Sequence, residues 1–237
     1  MSIQNKVDTA LPHVLDRAGW NSLAGPHSYI AEVHGLARRY PVDISPFNAV
    51  ADESNPEAWV DLHHLIGDHG VAIVVAKEFA VPDGWELAEK FPGVQMSGEE
   101  VIGVRDPNLI PLTNADVPEM LELVARTQPG PFLPRTIELG GYLGIRVEGK
   151  LVAMAGRRLN PPGWVEISAV CTDEEHRGKG YAARLVLAVA AEIQESGQMP
   201  FLHASGTNES AIRLYEKLGF NLRMRGEFNI LKPIALQ

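Results

Sequence analysis

Six residues, Arg177-Gly178-Lys179-Gly180-Tyr181-Ala182, place two glycines and two cations just ahead of an apolar, alanine-rich run. That combination suits an anion. The first turn of a helix has N–H groups without intrahelical partners and the positive end of the peptide dipole. Glycine at such a mouth lets the backbone come close to a ligand. A polyphosphate is the ligand to expect, with Arg177 and Lys179 adding charge. Two nucleotide patterns compete for the segment. Gly178, Gly180 and Ala183 satisfy the dinucleotide pattern G-x-G-x-x-G/A. However, "TDEEHR" separates them from the preceding strand-like run, "PFLHAS" does not end in the acid a ribose needs, and too few residues follow for the remaining strands of that fold. The P-loop pattern G-x-x-x-x-G-K-[ST] is absent, since Tyr181 follows Gly180.

A strand must deliver the chain to this loop and a helix must leave it. "GWVEISAVCT" alternates as a strand, and "YAARLVLAVAAEIQES" reads as a helix ending at Gly197. Upstream, Thr113 and Asn114 cap a helix over 115–127, and the loop "QPGPFLPRT" leads into "GYLGIRVEGKLVAMAGRRL", two strand-like runs flanking the turn "EGK". Downstream come a strand, "PFLHAS", and a short helix in "NESAIRLYEKLG" capped by Asn208 and stopped by Gly219. A last strand or hairpin in "FNLRMRGEFNIL" closes the chain.

The first half is less regular. Residues from about 10 to 40 have helical spacing in "LPHVLDRAG" and "SYIAEVHGLARRY", "GVAIVVAKE" reads as a buried strand, and "VPDGWELAEKFPG" as a connection punctuated by proline and glycine. The two prolines of "VRDPNLIPLT" mark the passage to a second unit, so the division expected is 1–105 and 106–237. No internal repeat is visible.

Composition excludes several classes. Hydrophobic residues are 45% and charged residues 22%, which is globular rather than disordered or fibrous. The formal charge of -9 argues against nucleic acid as partner. No apolar run reaches membrane-span length, and "MSIQNKVDTALPHVL" lacks the pattern of a secretion signal, so no membrane partner and a cytoplasmic location are expected. The single cysteine, Cys171, forms no internal disulfide and agrees with a reducing compartment.

Arg177 to Ala182 also fit [QR]-x-x-G-x-[GA], and "NESAIRLYEKLGF" fits N-x-x-A-x-x-L-Y-x-x-x-G-F. With these two anchors, residues from about 108 to 237 resemble the GNAT superfamily of acyl-CoA-dependent N-acyltransferases. The departures are Glu174, where the family usually has proline, and Ala182 as the loop's last small residue; neither removes a backbone N–H. The resemblance implies that the backbone of Gly178, Lys179, Gly180, Tyr181 and Ala182, with Arg177, holds the diphosphate of coenzyme A. It implies a strand that pulls away from its neighbour at "AVCT", so that Val170, Cys171 and Thr172 face the pantetheine arm and the Val170 N–H meets the acyl carbonyl. It makes Tyr215 the general acid at the sulfur, and lets Asn208 bond the arm as well as cap its helix.

Acyl transfer to an amine also needs a base. Period-two alternation puts Glu166, Ser168, Val170 and Thr172 on one strand face, which makes Glu166 the candidate; pairing with Arg157 or Arg158 is the competing reading. Cys171 falls on the other face, as a packing residue rather than a nucleophile. His63, His64 and His69 fit no common zinc spacing, so no metal is expected. Phe132, Arg135 and Glu138 lie in the loop where the family forms its acceptor pocket.

The expected architecture is α/β (α+β): a GNAT-like mixed twisted sheet flanked by helices, preceded by a smaller α/β unit that is either a degenerate relative of the same fold or a lid. The expected function is an N-acetyltransferase moving an acetyl or short acyl group from acetyl-CoA to a primary amine of a small molecule or peptide in a ternary complex. A non-catalytic acyl-CoA-binding sensor or interaction protein is the alternative, and a homodimer is left open.

Overall fold

Residues 13–76 and 78–234 are described by the structure, a computed structural model. The N-terminal stretch read for a secretion signal lies mostly outside them, as do the first residues of the helical reading and Lys77 of the "GVAIVVAKE" strand. Three short strands, β1 (Glu32–His34), β2 (Ala37–Arg39) and β3 (Asn48–Val50), form a small antiparallel sheet. The other eight are β4 (Ala72–Ala76), β5 (Trp85–Ser97), β6 (Ile110–Leu112), β7 (Tyr142–Val147), β8 (Lys150–Arg157), β9 (Trp164–Thr172), β10 (Met199–Ser205) and β11 (Asn221–Pro233). They make one mixed sheet in the order β4-β11-β5-β10-β9-β8-β7-β6, antiparallel except for the parallel pair β9–β10. Strands from both sides of residue 106 therefore share this sheet.

The helices are α1 (Ala18–Leu23), α2 (Pro56–Ile66), α3 (Val117–Thr127), α4 (Tyr181–Glu195) and α5 (Glu209–Lys217). No helix among the described residues is long and apolar enough to cross a membrane. Leu185, Val186, Val189 and Ile193 recur at helical spacing and seat α4 on one face of the sheet, against Val152, Val165 and Ile167. Burying each such chain contributes about 1.5–3 kcal/mol. On the other face α3 covers Leu151 and Met154 through Met120 and Leu123, while Leu15, Leu23, Tyr40 and Ile44 cover Trp164 and Phe201. The mixed sheet between helical layers is the architecture expected.

Two local readings are corrected. The helix expected as far as residue 40 stops at Leu23, and "AEVHGLARR" is the β1–β2 hairpin. Gly35 turns there with φ 50°, packed so closely on Asp61 of α2 that a Cβ would collide with it, and the Asp61 carboxylate accepts the Leu36 N–H at 2.7 Å. A tertiary contact thus overrides helical spacing. "VPDGWELAEKFPG" is largely strand β5, paired along its length with β11. Gly93 leaves room for the Phe228 ring, which stacks on Phe91 at 5.0 Å, and Pro92 falls where the β10 pairing has ended.

A pH dependence of stability follows from His27, which is 3% exposed and whose Nδ1 lies 2.8 Å from the Tyr40 hydroxyl. Burial lowers its pKa from 6.5 to about 4. The folded chain then binds fewer protons than the unfolded one between these values, so stability is full above pH 6.5 and falls as pH drops toward 4. Allowing for partial screening, the loss is about 2 kcal/mol. His27→Gln is expected to flatten that limb in thermal melts from pH 7 to 4.5; an unchanged slope contradicts this assignment.

Candidate active site

The β9–β10 pair carries the site because it separates. Its register covers only Trp164–Glu166 against Met199–Phe201, after which β9 runs on to Thr172 and β10 to Ser205 without pairing with each other. A cleft of about 660 Å³ opens there, lined by both strands, the loop before α4 and the start of α5. A bulge bends β9 beside it: Met154 is opposite Cys171 but Gly156 is opposite Ser168, and Ala169 has φ 51°. One extra residue switches the parity of the strand. Val170 therefore packs with Val165 and Ile167 on the α4 side, whereas Ala169 and Cys171 join the α3 side. The expectation that Glu166 and Val170 share a face is corrected for this reason.

At the cleft's rim, Gly178 and Gly180 have φ 77° and 75°, and a Cβ on either would meet nothing within 4 Å. Gly180 is the N-cap of α4, and no side chain caps the helix. The first intrahelical bond there joins the Arg184 N–H to the Gly180 carbonyl at 3.2 Å, so the preceding N–H groups have no partner within the helix. Arg177, Gly178, Gly180, Tyr181 and Ala182 all line the cleft; Lys179 is exposed and does not. Behind the loop, Asp173 is paired with Arg126 at 3.1 Å and Lys150 at 3.5 Å, which fixes the chain entering it. An uncapped helix mouth, left-handed glycines and open space fit a diphosphate.

Val170, Cys171, Thr172, Asn208 and Tyr215 line the same cleft. Asn208 caps α5 by accepting the Ala211 N–H at 3.1 Å. Tyr215 is 7% exposed, and burial with Cys171 nearby pushes its phenol up to about 12. The hydroxyl is protonated at neutral pH and able to donate. Burial also pushes the Cys171 thiol up to about 11, which removes it as a thiolate nucleophile.

Glu166 is fully buried and absent from the cleft lining. Its oxygens accept from Arg158 Nε at 2.8 Å and Nη2 at 2.7 Å, and one accepts from His203 Nδ1 at 2.7 Å. Burial alone would raise its pKa, but Arg158 and His203 outweigh it and hold the carboxyl well below the usual range. A carboxylate so occupied is a poor proton acceptor, so the assignment of Glu166 as base is corrected to that of a buried partner. Arg157 pairs instead with Glu192, at 2.6 Å.

Sequence reasoning missed His203, which does line the cleft. The signal is register: Phe201 stands opposite Glu166, so His203 lies two residues farther along the neighbouring strand. The loop residues Phe132, Arg135 and Glu138 stay out of the cleft. Phe132 packs edge-on against Tyr142, and Arg135 bridges Glu138 and Asp43, tying this loop to the N-terminal unit. His63 bonds Asp68 at 2.7 Å.

Comparison with known proteins adds family evidence. Residues 142–228 match the family model described as FR47-like protein. A GNAT-family protein from Novosphingobium aromaticivorans is 39% identical, with a TM-score of 0.86 over 94% of this chain and 100% of its own. A GCN5-related N-acetyltransferase from Kribbella flavida shares the fold at 18% identity, with a TM-score of 0.62 over 96% of this chain and 98% of its own. A GCN5-related N-acetyltransferase-like protein from Streptococcus suis does so at 15% identity and a TM-score of 0.56, over 95% and 94%. No curated protein matches the chain.

Proposed function

The chain belongs to the GNAT superfamily of acyl-CoA N-acyltransferases, and from that premise we propose that it transfers an acetyl or other short acyl group from coenzyme A to a primary amine of a small molecule or peptide. Transfer is direct, within a ternary complex. The observation that carries this reading is the separated β9–β10 pair ending beside an uncapped helix mouth. A diphosphate needs that mouth, and a pantetheine arm needs an unpaired strand edge.

In this reading the N–H groups from Gly178 to Ala182 hold the diphosphate, with Arg177 beside them and Lys179 adding charge from the exposed side. The backbone of Val170, Cys171 and Thr172 takes the arm, and Asn208 adds a polar contact at the start of α5. The Val170 N–H stabilises the charge that builds on the acyl oxygen. Tyr215 gives its proton to the departing sulfur as the C–S bond breaks. Cys171 takes no covalent part, because its thiol stays protonated.

The test is release of free thiol from acetyl-CoA across amino acids, polyamines, aminoglycosides and peptide N-termini. At least one primary amine is expected to raise release well above the rate without acceptor, with acylated amine formed in equal amount. A protein that binds coenzyme A yet acylates none of these classes contradicts the proposal and favours the non-catalytic sensor.

A further inference from the structure

His203 faces two cavities. Besides the cleft, it lines a second cavity of about 80 Å³ under the N-terminal unit, whose walls include Asp16, Arg17, Trp20, Glu53, Trp59 and Gln95. That cavity shares Asp16, Arg17, Glu53, Val75 and Met224 with an open vestibule of about 600 Å³, whose rim adds Asp52, Ser54 and Arg223. Resting on the acyltransferase reading above, we propose that the acceptor amine enters by this vestibule and yields its proton to His203.

Hydrogen bonding determines which nitrogen takes the proton. The ionised Glu166 only accepts, so His203 Nδ1 donates to it, and Nε2 bears the lone pair. At Nε2 the present donor is the Gln95 amide, at 3.0 Å; its other N–H donates to the Leu15 carbonyl at 2.9 Å. Gln95 is held in this orientation by Arg223, whose Nη1 donates to Gln95 Oε1 at 2.6 Å and whose Nη2 donates to Asp16. The charged groups around the imidazole are thus Glu166 from β9, Arg158 just after β8, Arg223 from β11 behind Gln95, and Asp16 from the N-terminal turn. Phe201 and Phe228 complete its surroundings with ring edges.

In the step itself, an N–H bond of the alkylammonium breaks and its electron pair remains on nitrogen. The proton bonds to His203 Nε2 in place of the Gln95 N–H, and the imidazolium is stabilised by Glu166. The imidazolium returns its proton to solvent water, and the free pair attacks the acyl carbon. The C–S bond breaks as the sulfur takes the Tyr215 proton, and the nitrogen's second proton leaves to restore the Tyr215 hydroxyl. The base is therefore a histidine oriented by the carboxylate, in the manner of a base and its orienting acid.

The vestibule also selects the amine. Three carboxylates, Asp16, Asp52 and Glu53, stand on its walls with two guanidiniums. Arg223 is committed to Asp16 and Gln95, and Arg17 donates to the Val50 carbonyl and lies 5.6 Å from the Trp20 ring centre. Among the described residues, no ion pair takes up Asp52 or Glu53. Arg17 also attracts Asp52 and Glu53, and burial raises the Glu53 pKa. Three carboxylates against two guanidiniums still leave one negative charge in excess, which favours an ammonium, and the Trp20 and Trp59 rings favour hydrocarbon beside it. The small inner cavity fits an unbranched alkyl end. A carboxylate next to the amine is repelled. The class assigned is an unbranched primary alkylamine without an α-carboxylate.

The test uses the full chain, with n-butylamine, n-butanol and norvaline as probes. Tryptophan fluorescence is expected to show saturable binding for n-butylamine only, and the Asp52→Asn/Glu53→Gln double variant to raise its half-saturation at least fivefold. Calorimetric affinity for coenzyme A is expected to stay within twofold. For turnover, His203→Gln is expected to lower kcat/KM for n-butylamine about thirtyfold at pH 7, with the deficit shrinking as pH rises and the amine arrives already neutral. An inert fluorescence signal, a double variant equal to wild type, or a His203→Gln deficit that is absent or constant with pH overturns the inference. Failure of the acyltransferase reading is separate: it appears as no coenzyme A binding in calorimetry, or as binding with no acylated amine formed, whereas the fluorescence arm still decides the amine site, even if His203→Gln does not fold.

Discussion

Tyr215→Phe is expected to lower kcat about a thousandfold while leaving coenzyme A affinity within twofold, since a positioned general acid typically contributes ~10²–10⁴. The variant removes one oxygen and keeps the ring that packs edge-on against Phe220 at 6.0 Å. Stability therefore changes little, and the loss falls on the step in which sulfur must leave with a proton. Because burial holds the phenol at about 12, wild-type turnover is not expected to decline from loss of this proton between pH 7 and 10. Rapid-mixing measurements of thiol release, beside calorimetry for binding, separate the two effects. Equal turnover in both proteins would show that water or another group protonates the sulfur.

The second large effect is expected at the helix mouth. Gly180→Asp is expected to weaken coenzyme A binding more than a hundredfold, since like charges placed together cost several kcal/mol. At φ 75° aspartate is among the residues that tolerate the left-handed region, and a Cβ there meets nothing within 4 Å. Folding is thus retained, with a cost of about 1 kcal/mol. Gly163→Asp is the control: its φ is 80°, it is equally open, and it lies outside the cleft. If both variants bind coenzyme A like wild type, the diphosphate does not lie at Gly180.

The second half of the fold was legible because each element carries its own boundary. Asn208 and Gly219 bracket α5, Gly149 turns the β7–β8 hairpin at φ 83°, and α4 begins at the glycines that also form the loop. The first half was less so. Gly35 and Asp61, or Gly93 and Phe228, meet only after folding, and these meetings turned a helical spacing into a hairpin and a connection into a strand. The same limit applied within the site. Arg177, the loop glycines, Val170 to Thr172, Asn208 and Tyr215 line one cleft. The bulge at Ala169 is invisible to alternation, which therefore puts Val170 on the face of Glu166 when it lies on the other. His203 acquires meaning only through the β9–β10 register, which no local pattern encodes.

Coenzyme A is expected to bind where β9 and β10 separate. The most direct measurement is a titration of ¹⁵N-labelled protein with coenzyme A, followed by amide chemical shifts. The largest changes are predicted at Gly178, Gly180, Tyr181 and Ala182, with a second group at Val170 to Thr172. Saturable binding that leaves those amides unmoved while shifting another surface would contradict it.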